Sequence, residues 1–68
     1  MTVDRNHTEI LDQPHQMWAE GIGISKLKPK EAEIRELLGG EGWKADQVDV
    51  WFDRFQDFWR WSCKIVKQ

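Results

Sequence analysis

From Trp43 to the end of the chain no glycine or proline interrupts the sequence, and seven of the eight aromatic side chains fall in this stretch: Trp43, Trp51, Phe52, Phe55, Phe58, Trp59 and Trp61. A segment this apolar must bury much of itself, so its periodicity decides the fold. At a helical spacing of roughly 100° per residue, Val48, Trp51, Phe52, Phe55, Phe58, Trp59, Ser62, Ile65 and Val66 share one broad arc. The arc predicts one long helix from about Lys44 into the last residues, and no strand is assigned.

Upstream elements are shorter. Pro29 suits the start of a helix in which Ile34, Leu37 and Leu38 form the buried stripe and Gly39-Gly40 supplies the stop. Glu31 and Arg35 stand four apart on its wet side. Another helix is placed from Asp12, with Pro14 in its first turn, or from Thr8 with Pro14 bending it. It carries Met17 and Trp18 inward and ends before Gly21, after which Ile22, Ile24 and Leu27 tuck under the domain. Residues 1–11 read as a flexible arm and 12–68 as one three-helix domain, an all-α bundle with a long C-terminal helix.

Totals narrow the class further. Sixty-eight residues allow one small domain of marginal stability. Cys63 is the only cysteine, so no intrachain disulfide forms, and a reducing compartment is expected. The polar first residues lack a signal peptide's apolar region, and no run has the length of a membrane span. The expectation is a complete, soluble chain in the cytoplasm or nucleus. A net charge of −2 lacks the basic excess typical of nucleic-acid binders.

The run Gln47-Val48-Asp49-Val50-Trp51-Phe52, followed by Trp59-Arg60, resembles the third helix of a homeodomain, and the resemblance extends over about Lys28 to Lys64. It implies a homeodomain-like helix-turn-helix scaffold of a transcription regulator. On that pattern the base-reading surface falls on Val50, Asp53, Arg54 and Asp57, and Arg54 replaces the adenine-reading asparagine. Phe55 and Gln56 replace the basic residues that follow it, and the basic arm is reduced to Arg5. Carboxylates at Asp49, Asp53 and Asp57 would face phosphates that repel them, which argues against the family's DNA readout.

Catalysis finds no support. His7, His15 and Cys63 have no metal-ligand spacing, no nucleophile triad assembles, and the glycines spell no phosphate loop. No cofactor, metal or small-molecule substrate is expected. The exposed side of the long helix would carry Val50, Asp53, Arg54, Asp57 and Trp61. A tryptophan beside an arginine has the composition of an interface anchor, although Trp61 packing against the arm fits the pattern equally. Lys26, Lys28, Lys30, Arg60 and Lys64 are candidates for phosphate or acidic-partner contacts. The functional expectation is therefore a small regulatory module binding a protein partner or itself, with altered-readout DNA binding as the alternative. A membrane-surface helix fits less well, because the polar face mixes acids and bases.

Overall fold

A computed structural model describes residues 1–68. It overturns the all-α, three-helix reading. The chain forms four antiparallel strands and one helix: β1 (Thr8–Gln13), β2 (Gln16–Ile22), α1 (Glu31–Gly39), β3 (Trp43–Asp53) and β4 (Phe58–Lys67). The strand order is β1-β2-β4-β3. There is no helix-turn-helix, and the homeodomain resemblance fails with it.

The supposed long third helix is the β3–β4 hairpin. Helical and strand periods compete in this stretch, and the strand period wins through β4. Trp61, Cys63 and Ile65 alternate with more exposed neighbours and are buried against α1. Valine, isoleucine and aromatic residues also favour the pleated, half-buried surface of a strand. The turn between the strands, Arg54–Asp57, uses neither glycine nor proline. Asp53 instead accepts the amides of Phe55 at 3.0 Å and Gln56 at 3.1 Å. Asp57 takes the left-handed conformation at φ 61°, and its amide donates to the Asp53 carbonyl at 2.8 Å. Aspartate tolerates both roles, so the turn closes where the sequence shows no conventional breaker.

The supposed first helix is the β1–β2 hairpin. Pro14 sits not in a first helical turn but in the two-residue loop Pro14-His15 that joins the strands. Residues 1–11, expected as an arm, contribute most of β1 to the sheet and a fully buried Val3 to the core.

Only α1 lies near its expected place. Its buried residues are Ile34 and Leu38. They pack on one sheet face with Val3, Ala19, Ala45, Trp61, Cys63 and Ile65. Small side chains at Ala19, Ala45 and Cys63 let the helix approach the strands closely. The helix start has no side-chain cap of its own. Thr2 supplies one from a distance: its hydroxyl accepts the Lys30 amide at 2.9 Å, and Glu33 accepts the Thr2 amide at 2.7 Å. These reciprocal bonds reproduce a capping box with one member taken from the chain's beginning.

The β3 edge is partly guarded. The Gln68 amide bonds the Gly42 carbonyl at 3.0 Å. Because bonded pairs alternate along the ladder, the backbone groups of Trp43 and Ala45 turn outward. Arg35 Nη1 reaches from α1 to the Ala45 carbonyl at 2.6 Å. Further along, a bulge between Asp46 and Asp49 holds Gln47 at φ 51° and twists the edge.

Candidate binding surface

Cross-strand partners project to the same side of an antiparallel sheet. The face opposite α1 is therefore read directly from the register. One row across it is Glu9, Glu20, Ser62 and Asp49; the row on one side is Leu11, Trp18, Lys64 and Asp46. The row on the other side is Ile22, Arg60 and Trp51. No helix covers this face.

A groove of about 270 Å³ lies at one end of the sheet. Glu9 and Glu20 border it on one side, and Trp51, Arg60 and Ile22 on the other. Between them runs the middle row of Thr8, Gly21 and Trp61. Gly21 is required there. A Cβ at this position would stand 2.4 Å from the His7 carbonyl and 2.7 Å from the Trp61 ring. The Trp61 ring edge, close to its Nε1, lies against Gly21, and this indole nitrogen is buried without a hydrogen-bond acceptor.

Glu9 and Glu20 are direct cross-strand partners, an arrangement in which like charges repel. Neither makes an ion pair within the chain. The nearby Arg60 is already engaged: it donates to Asp53 at 3.1 Å and lies 5.5 Å from the Phe58 ring centroid.

Beyond Ile22 the β3–β4 hairpin continues past the end of β2. Its turn carries Phe55, which is 100% exposed, while Trp51 and Phe52 on the strand leading to it are 43% and 42% exposed. Phe52 stacks edge-to-face on Trp59 at 5.4 Å, and Lys28 lies over the Trp59 ring at 5.3 Å. Lys26 pairs with Asp57 at 3.0 Å. The turn is held in shape electrostatically. Hydrogen bonds from the Gln56 amide, then from Arg60 and the Phe55 amide, keep the Asp53 carboxyl below its ordinary pKa.

The residues expected to share one helical flank are divided between the core and the hairpin turn. Trp61 is completely buried, so it belongs to the core rather than to an exposed flank. Val50 is its cross-strand partner and packs against the same core. Asp53, Arg54 and Asp57 gather at the hairpin turn. The expected cationic set is also divided. Lys28 lies beside Trp59 and Lys30 at the start of α1, whereas Arg60 and Lys64 project from the opposite sheet face. Lys64 lies 5.8 Å from the Trp18 ring centroid. These bases form no single phosphate-binding patch.

Sequence reasoning missed Glu9, Glu20, Trp51, Phe52 and Phe55 as surface candidates. A helical period places the three aromatics on a buried arc that a strand does not possess. The two glutamates are eleven residues apart and become neighbours only through the β1–β2 register.

No group of three or more histidine, cysteine, aspartate or glutamate side chains is placed to hold a metal ion. Burial pushes the Cys63 thiol up to about 11, the opposite of an activated nucleophile. No helix is long and apolar enough to cross a membrane. Comparison with protein families, curated proteins and solved structures returns no match.

Proposed function

We propose that the chain is a non-enzymatic protein-interaction module whose contact element is the aromatic β3–β4 hairpin. The observation that carries this reading is the full exposure of Phe55 at the tip, flanked by the part-exposed Trp51 and Phe52 on the two faces of β3. Aromatic side chains supply large rigid contact area at small entropic cost and are enriched among interface hot spots. The hydrogen bonds of Asp53 hold the turn in one shape before any partner arrives, which reduces the ordering cost of binding. A net charge of −2, with Arg60 and Lys26 beside the turn already paired to Asp53 and Asp57, favours a protein surface over an anionic membrane or a nucleic acid.

The test is selection of peptide binders from a random displayed library against the folded chain. Binders are expected to lose at least about tenfold in affinity for Phe55→Ala and Trp51→Ala. They should retain it for Lys44→Gln, on the other half of β3. Selection that enriches nothing, or binders indifferent to both aromatic substitutions, would overturn the proposal. So would Phe55-dependent binding to anionic vesicles or duplex DNA in place of peptides.

A further inference from the structure

The groove presents two glutamates without an ion-pair partner, its Arg60 being held by Asp53, and the hairpin turn presents one arginine without a partner, its Asp57 being held by Lys26. Of its four arginines, Arg5 pairs with Glu41, Arg35 with Glu31 and Arg60 with Asp53, leaving Arg54 alone without a carboxylate. Arg54 is exposed and adjoins Phe55 at the hairpin turn. Glu9 and Glu20 oppose each other across β1 and β2 with no internal counter-charge, and the groove they border has Trp51 on its other side. Trp51 borders the groove and lies three residues before Arg54, so the turn follows directly on the strand that forms one side of the groove.

We infer that the groove receives the hairpin tip of a second copy of this chain. Arg54 of each copy enters between Glu9 and Glu20 of the other, and Phe55 packs on the apolar side formed by Trp51 and Ile22. A two-fold axis near Trp51 makes the exchange reciprocal, so the same contact occurs twice and the assembly closes as a dimer. The guanidinium relieves the glutamate repulsion with a planar donor set suited to two carboxylates. This rests on the reading of the hairpin as the contact element and names the partner it meets.

Charge exchange tests the inference with the full chain. Sedimentation velocity of the wild type across a concentration series should show a monomer–dimer equilibrium. Arg54→Glu alone, and the groove reversal Glu9→Arg/Glu20→Arg alone, should each weaken dimerisation by about tenfold or more, because each places like charges together. Mixing the two variants should restore the dimer, since both contacts of the mixed pair then match opposite charges. A variant carrying Arg54→Glu together with Glu9→Arg and Glu20→Arg should also dimerise. Circular dichroism of each variant checks that the sheet is retained.

A wild type that stays monomeric at its solubility limit would overturn the inference, as would a mixture that fails to recover. Peptide binders sensitive to Phe55 would then leave the hairpin reading standing and remove only the second copy as its occupant. Dimerisation that responds to the charge exchange but not to Phe55→Ala would keep the groove contact and remove the aromatic tip as the principal anchor.

Discussion

At the scale of single residues, Gly21 and Cys63 show how β2 and β4 fit together. Gly21 is fixed by close approach, since the Trp61 ring and the His7 carbonyl occupy the space of its missing side chain. Gly21→Ala should therefore destabilise the fold by about 1–3 kcal/mol through overpacking, measured by urea unfolding. Cys63 is buried on the helix face, and burial raises its thiol pKa to about 11. The unfolded thiol ionises first as pH rises, at roughly 8.5. Stability from this group is thus complete below that pH and is lost as pH rises through the native value. Iodoacetamide at pH 8 should modify the native protein far more slowly than the urea-unfolded chain, as mass spectrometry would show. Equal rates would mean that Cys63 is not enclosed.

At the scale of elements, α1 and the β3–β4 hairpin each depend on one polar side chain at an end. Thr2 caps α1 from outside the helix. Thr2→Ala should cost about 1 kcal/mol in denaturant unfolding, the usual consequence of removing an N-cap. Asp53 organises the hairpin turn, and its carboxyl pKa is depressed in the folded chain, foremost by the Gln56 amide. Its stabilisation is present above the unfolded carboxylate pKa of roughly 4 and is lost as pH falls through the lower native value. Amide exchange at Phe55 and Gln56, followed by NMR, should rise in that acid range before exchange in β2 and the middle of β4. Asp53→Asn should raise it already at neutral pH. Simultaneous loss of protection throughout the sheet would mean that the turn has no separate stability.

At the scale of the whole molecule, the sheet has one face closed by α1 and one left open. The closed face holds the core, while the open face keeps two glutamates in repulsion. Glu9→Gln should stabilise the isolated chain by about 0.2–1 kcal/mol, in thermal unfolding at low protein concentration. The same substitution should weaken the proposed association. Opposite signs in the two measurements are the signature of a site kept for binding, whereas a loss of both would make Glu9 a structural residue.

The sequence alone determined the helix α1 and its boundaries to within a few residues. Ile34, Leu37 and Leu38 fall at helical spacing, Gly39-Gly40 follows them, and all these signals lie within one short window. It also determined that the C-terminal third is rich enough in aromatic residues to dominate the fold. Tertiary structure decided that this third folds back on itself. The choice between one helix and a hairpin depended on an aspartate-built turn and on β4 finding β2 as a neighbour some forty residues away. Pairing of that kind is a long-range event. It sets which of Trp51, Phe55 and Trp61 is buried, and it brings Glu9 opposite Glu20. A pattern confined to neighbouring residues does not encode those distances, because strand partners are chosen by how the whole sheet closes over α1.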